Sequence, residues 1–199
     1  TGVQTCALPI SWTRLFVDDD RVEFPGHEKQ GAMLFAGIAR RFRLDNDTAD
    51  EVGFLIRCHG LAPDQQGTYE ASWSDADIRR WIRKVDPYIE SMLEFSRANV
   101  TVEEDDERDE ILARIDELEA RIGQLDSEGT LRPSLPTGIG HELIDAFELE
   151  PSPLVGELKD WLEEEIIEER IASGRSPDYY VEHIRSAPPD FLMDALDHS

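Results

Sequence analysis

Lysine and cysteine are scarce in this sequence of 199 residues, and long hydrophobic runs are lacking. Only Lys29, Lys84 and Lys159 stand among the 20 basic residues. The two cysteines, Cys6 and Cys58, are too few for a disulfide framework, which favours a reducing compartment and therefore the cytoplasm. No apolar stretch approaches the roughly 18 residues that a membrane span needs, so no membrane partner is expected.

Positive charge is also in short supply. Asp and Glu number 44 against 20 Lys and Arg, which gives a formal net charge of −24. Such a field repels phosphate and argues against DNA as a partner and against strong nonspecific attachment to any nucleic acid. An acidic, lysine-poor surface resembles the proteins of salt-loving organisms, where salt screens self-repulsion. Simple solubility explains the same acidity, and composition leaves these two interpretations open.

The first ten residues, TGVQTCALPI, carry no charge. They lack the basic start and the apolar run of roughly 7–15 residues that mark a signal peptide. A short edge strand is one interpretation. However, the string matches one reading frame of a common DNA-sequencing adapter, so we predict that residues 1–11 are an adapter artefact. On this interpretation the native sequence begins near Trp12, the gene is truncated upstream, and Cys6 has no meaning.

Helical periodicity dominates the rest of the sequence. Apolar residues recur at helical spacing in HEKQGAMLFAGIARRFRL and in DNDTADEVGFLIRCHG, and Ser74 forms a capping-box pattern with Asp77. The acidic stretch from Glu103 to Glu128 carries an apolar seam too short for a coiled coil, which predicts a long helix packed on a neighbour. The seam consists of Ile111, Ile115, Leu118, Ile122 and Leu125. Three further helices and a short or frayed fourth follow the Pro/Gly-rich LRPSLPTGIG. The predicted fold is an all-α multi-helix bundle.

Two histidines lie where two of the predicted helices meet. His27 begins the first helix and His59 ends the second, and the short LDN connection makes the two helices antiparallel neighbours. The two imidazoles then share one end of the bundle. Two more helices, one out and one back, would return Asn99 to the same end. A metal site of His27, His59 and Asn99 is one interpretation, and surface or capping histidines are the other.

These stretches resemble the HD domain of bacterial tRNA nucleotidyltransferases and poly(A) polymerases. TRLFVDDDRVEFPGHE is similar to the family's Thr-Arg, acidic turn and Phe-x-Gly-His-Glu, and LIRCHG follows it. Farther on, LRPSLPTGIGHELIDAFELEPSPLVGELKDWLEEEI is similar to the family's Arg-Pro-x-Leu, Gly-x-Asp/Glu-Leu and Pro-Gly-Pro-x-Val/Ile-Gly. The resemblance covers Thr13 to about Ile184. It implies a partial HD-like helical domain at 12–101 and a C-terminal helical RNA-binding body and tail at 102–199.

The sequence also departs from this family. The resemblance implies that the polymerase head, which binds Mg²⁺ with CTP or ATP, lies upstream of this sequence together with the His-Asp dipeptide. The family's Arg-Ala-Asp reads RAN, so the neutral Asn99 stands where a carboxylate would complete the metal site, and Ser152 stands where the family usually has Gly. The resemblance therefore implies that His27, His59 and Asn99 form a degenerate metal site. It also implies that no residue of this sequence is catalytic and that the chain itself needs no cofactor.

The stretch DIRRWIRK holds the densest cation cluster of the sequence: Arg79, Arg80, Arg83 and Lys84. Arg79 and Arg83 lie one helical turn apart, a spacing that suits contact with a backbone phosphate. Pairing with neighbouring Asp and Glu side chains is the alternative interpretation. The first interpretation predicts that these four residues bind RNA.

The first hypothesis for function is the tRNA-holding, non-catalytic part of an enzyme that adds CCA, or part of it, to tRNA 3′ ends, with tRNA as the partner. The second is a metal-dependent HD phosphohydrolase without its first helices, and the third is a noncatalytic helical scaffold. The GHEL…PSPLVG segment favours the first, because an HD phosphohydrolase has no need of it. The choice among CCA, CC, A and poly(A) addition belongs to the head, and the oligomeric state stays open.

Overall fold

The structure, a computed structural model, describes residues 15–16, 22–63, 73–102, 104–132 and 134–197, and most of them are helical. Within these residues, an antiparallel pairing of two short strands, β1 (Leu15–Phe16) and β2 (Val22–Glu23), precedes nine helices. The helices are α1 (His27–Phe42), α2 (Asn46–Cys58), α3 (Asp75–Val85), α4 (Ile89–Asn99), α5 (Asp105–Ser127), α6 (Ile139–Phe147), α7 (Pro153–Ile167), α8 (Pro177–Ser186) and α9 (Asp190–Asp197). The prediction of an all-α, multi-helix fold is confirmed. The predicted artefact at 1–11 lies outside the described residues.

The chain divides into two compact units, Thr1–Leu125 and Asp126–Ser199. This division falls just before the Pro/Gly-rich stretch at 131–140. The predicted boundary between 101 and 102 falls inside the first unit, ahead of α5. The assignment of this boundary as the border between an HD-like domain and an RNA-binding body stays a prediction.

The apolar core of the first unit comes from α3, α4 and α5. The capping box predicted at the start of α3 is confirmed: Ser74 Oγ accepts the Asp77 backbone N–H at 3.2 Å, and Asp77 Oδ2 accepts the Ser74 N–H at 2.9 Å. All five residues of the predicted seam are buried on α5, so the helix packs on neighbours as expected. Arg97 on α4 donates to Asp116 and Glu119 on α5 and joins the two helices at the surface.

Helices α1 and α2 form an antiparallel hairpin that buries little of its apolar surface. On α1 only Ala32 and Ala39 are buried, and α2 has no buried residue. Four large apolar side chains on and just after α1 are between 40% and 69% exposed: Met33, Ile38, Phe42 and Leu44. Exposed apolar surface on this scale is a common mark of a binding surface.

The second unit has its own core, to which α6, α7, α8 and α9 all contribute. Its fully buried side chains include Leu143, Leu158, Tyr180 and Leu192. Helix α6 begins after Gly138, whose φ of 89° suits glycine, and α7 and α8 each begin with a proline in the first turn. None of the helices in the described residues is long and apolar enough to cross a bilayer.

Candidate functional site

His27 and His59 lie together at one end of the α1–α2 hairpin. His27 is the first residue of α1 and follows Gly26, whose φ of 73° is in the left-handed region that glycine tolerates best. His59 directly follows the last residue of α2 and opens a short 3₁₀ turn, His59–Leu61. Because the two helices are antiparallel, the start of one meets the end of the other. The sequence predicted this meeting from the two helix ends.

The two imidazole rings face each other through their Nε2 atoms, which are 3.1 Å apart. The ring centroids are 5.1 Å apart in an edge-to-face arrangement. Each Nδ1 lies at hydrogen-bond distance from a backbone carbonyl in the preceding turn, His27 from Phe24 O at 2.7 Å and His59 from Ile56 O at 2.9 Å. A carbonyl oxygen only accepts, so the hydrogen-bond pattern assigns a proton to each Nδ1.

This assignment determines what the pair does chemically. In a neutral ring protonated at Nδ1, the Nε2 atom carries a lone pair, so the two lone pairs point at each other. A positive centre between them stabilises the arrangement, either a proton on one Nε2 or a cation bound by both. For bonds of about 2.0–2.1 Å to a metal, an N···N distance of 3.1 Å corresponds to an angle of about 95–100° at the ion. The pair therefore fits two adjacent positions of a metal's coordination shell.

The described side chains supply only those two ligands. No group of three His, Cys, Asp or Glu residues that could hold a metal is present among the described residues. Glu28 is nearby, but its Oε1 lies 3.6 Å from His27 Nδ1, on the side of the ring away from the other histidine. Cys58 precedes His59, and burial raises the pKa of its thiol, which keeps it protonated and a poor ligand at neutral pH. Within the described part of the chain, a cation at this pair therefore has two protein ligands.

Asn99, the third predicted ligand, does not lie at the end of α2 that His59 occupies. Two contacts set the register of α4 against α2: Tyr88 with Phe54, at 5.0 Å between ring centroids, and Ser91 with Glu51. Residue numbers rise along α4 as they fall along α2, so the two helices run antiparallel. This register carries Asn99 level with the start of α2, about 20 Å or more along the axis from the end that His59 occupies. The expectation that Asn99 returns to the histidines does not hold in this register.

The predicted cation cluster separates into three environments on α3. Arg79 is only 4% exposed, so it has little surface to offer a phosphate, and its assignment as an RNA contact stays a prediction. Arg80 is half-buried and donates to Asp77 Oδ1 at 3.0 Å, one turn earlier. Arg83 and Lys84 are exposed in the last turn of the helix. Of the four, these two are the exposed residues.

Comparison of the chain with family models, curated proteins and solved structures finds no match.

Proposed function

We propose that this chain is the helical, tRNA-holding part of a tRNA nucleotidyltransferase, and that Mg²⁺-dependent transfer from CTP and ATP takes place on a separate head. The proposal begins from the sequence resemblance. Its two halves coincide with two structural features: the histidine pair of the first unit and the α6–α7 pair of the second.

The observation that carries the proposal is the folding of GHEL…PSPLVG as one packed helix pair. Helix α6 begins after Gly138, and α7 begins at Pro153 after Ser152. The two first turns approach closely: a Cβ built on Gly140 would lie 3.7 Å from Val155 Cγ1. Ile139 and Leu143 on α6 are buried in the core of the second unit. A metal-dependent phosphohydrolase has no use for this segment, whereas the resemblance gives it a role in holding tRNA.

The tRNA contact that we propose in the first unit consists of Arg83 and Lys84. Both side chains are exposed and occupy the last turn of α3. Two cations on a chain with a net charge of −24 favour a weak, salt-dependent contact with backbone phosphates. Each neutralised phosphate contributes about −0.7 to −0.9 to the slope of log affinity against log salt, so removing two contacts flattens that slope by about 1.4–1.8.

The test is titration of the full chain with a tRNA transcript over a range of salt concentrations. The variant Arg83→Glu/Lys84→Glu is expected to bind tRNA at least tenfold more weakly than the parent chain. Its affinity is also expected to depend less steeply on salt concentration. Arg40→Glu/Arg41→Glu is the matched control, because those two cations are also adjacent, exposed and in the last turn of a helix. Both variants change the net charge equally. Equal loss in the two variants, or no loss in either, would contradict the proposed contact.

The second candidate function, a metal-dependent phosphohydrolase, is favoured by the histidine pair alone. It predicts Mn²⁺- or Ni²⁺-dependent turnover of a phosphodiester model substrate that His27→Ala abolishes. The proposed function predicts no such turnover, because the described residues supply the two histidines and no third His, Cys, Asp or Glu ligand for a metal. The two candidates are therefore separable with one purified protein.

A further inference from the structure

A groove runs along one face of the α1–α2 hairpin. It consists of two adjoining cavities of about 930 and 450 Å³ that share Ala32, Ala36 and Arg57 in their walls. Ala39 of α1 and Gly53 of α2 continue the lining. The groove extends from Lys29 to Arg43, which is about 21 Å at 1.5 Å per residue, or four turns of a helix. Its small apolar side chains leave room for another backbone to approach closely.

Basic side chains surround this groove. Lys29, Arg40 and Arg43 from α1 and Arg57 from α2 line it, against only two carboxylates, those of Glu28 and Asp50. Among the described residues, none of the four basic side chains is in an ion pair. Elsewhere arginines do find carboxylates, as Arg97 and Arg121 do. A chain with 44 acidic residues thus leaves four cations around one apolar groove.

We propose that this groove binds an acidic amphipathic helix of a partner protein. A helix matches the length of the groove, and its apolar stripe would cover the alanine and glycine floor. Carboxylates beside that stripe would meet the cations of both groove walls. RNA fits less well, because most of the groove floor is alanine and glycine and Phe35 is the one aromatic residue among those that line the two cavities, whereas RNA sites stack successive bases on several aromatic rings.

A second copy of this chain does not supply such a helix from its most acidic element. The apolar seam of α5 is buried from Ile111 to Leu125, so the helix has no free apolar stripe to offer. With α5 excluded, we take a helix of a different protein as the occupant, and a second copy of this chain as an outcome of the test. This inference is independent of tRNA binding, which we place on Arg83 and Lys84 of α3.

The experiment uses the full chain and a fluorescein-labelled helical peptide of about 16 residues, with a leucine stripe at i, i+3, i+4 and i+7 spacing and flanking glutamates. A second peptide keeps the leucine stripe and replaces each glutamate by lysine. Fluorescence anisotropy is expected to show binding of the glutamate peptide only. Equal binding of the lysine peptide, or no binding of the glutamate peptide, would overturn the proposal.

Two variants test the location of the contact. Ala36→Leu fills the groove at an exposed helical position, and filling a fitted site weakens binding by about tenfold or more. Its matched control is Ala113→Leu, the same change at an exposed position of α5, which is expected to leave binding unchanged. Arg40→Glu/Arg57→Glu is expected to weaken binding at least tenfold. Circular dichroism checks that all three variants keep the helix content of the parent chain.

Two further outcomes would assign the groove differently. If tRNA displaces the peptide, and if Ala36→Leu weakens tRNA binding as well, the groove binds RNA and the proposal fails. If the chain alone forms a dimer in sedimentation that Ala36→Leu dissociates, the occupant is a second copy and the proposal also fails. Loss of tRNA binding in Arg83→Glu/Lys84→Glu, with peptide binding intact, would support both proposals separately.

Discussion

Charge reversal at Arg79 distinguishes the buried from the exposed cations of α3. The Arg79 side chain is 4% exposed and lies next to the fully buried Ile78. Arginine stays charged in proteins, so the interior around it is arranged for a cation. Arg79→Glu places an anion there, and breaking the arrangement of a buried charge costs about 3–5 kcal/mol in free energy of unfolding.

The expected shift is large enough for a simple assay. For a chain of 150–250 residues each kcal/mol lowers Tm by about 2–4 °C, so Arg79→Glu lowers it by about 6–20 °C. The matched control is Arg83→Glu, which makes the same charge change at an exposed position of the same helix and changes stability by at most about 0.5 kcal/mol. The assay is thermal unfolding followed by circular dichroism. Equal Tm values for the two variants would contradict the stabilising role of the buried Arg79 side chain.

Two further predictions concern stability. The Ser74 hydrogen bonds hold the pKa of Asp77 below its usual 3.8, so the stabilisation from the Asp77 carboxylate is full above that pH and is lost as the pH falls through the lower folded pKa. Ser74→Ala is expected to lower the free energy of unfolding by about 1 kcal/mol at pH 7 and to reduce the part of the stability that is lost on acidification. Urea unfolding between pH 2 and 7 measures both effects, and an unchanged pH profile would contradict the capping box. In the second unit, the buried Tyr180 hydroxyl donates to one backbone carbonyl at 3.0 Å and accepts from one backbone N–H at 3.2 Å. Tyr180→Phe is expected to lower the free energy of unfolding, measured in urea, by about 1–3 kcal/mol. Tyr179→Phe removes one hydrogen bond at an exposed ring and is expected to lower it by clearly less. Equal losses in the two variants would contradict this network.

The sequence was informative wherever a local signal decides the structure. The seam of α5 and the capping box at Ser74 are periodic or short-range patterns, and both are confirmed. The meeting of His27 with His59 also followed from local signals, since it needs only two helix ends and a short connection between them.

The positions of Asn99 and Arg79 in the fold were not predicted from local signals of this kind. The direction of α4 depends on which helices it packs against, and no local pattern encodes that choice. Arg79 lies about 60° around the helix from Ile82, at the edge of the buried stripe, while Arg83 lies about 100° away from it. A helical-wheel count would therefore have separated these two arginines.

The basic groove was missed although a charge signal for it is present in the sequence. The hairpin from His27 to Cys58 has five basic and five acidic residues, so the whole net charge of −24 lies outside it. What the sequence did not reveal is that α1 buries Ala32 and Ala39 and leaves Met33 and Phe42 exposed. That choice depends on tertiary packing, which overrides the apolar periodicity.

The most direct test of the central claim is a hydroxyl-radical footprint of a tRNA transcript bound to the full chain. The account predicts protection of the acceptor end, the part of tRNA that a nucleotidyltransferase must hold while its 3′ end is extended. The same protection should weaken with Arg83→Glu/Lys84→Glu and persist with Arg40→Glu/Arg41→Glu. Protection confined to the anticodon arm, or no protection at concentrations where the chain is folded and monomeric, would contradict the account.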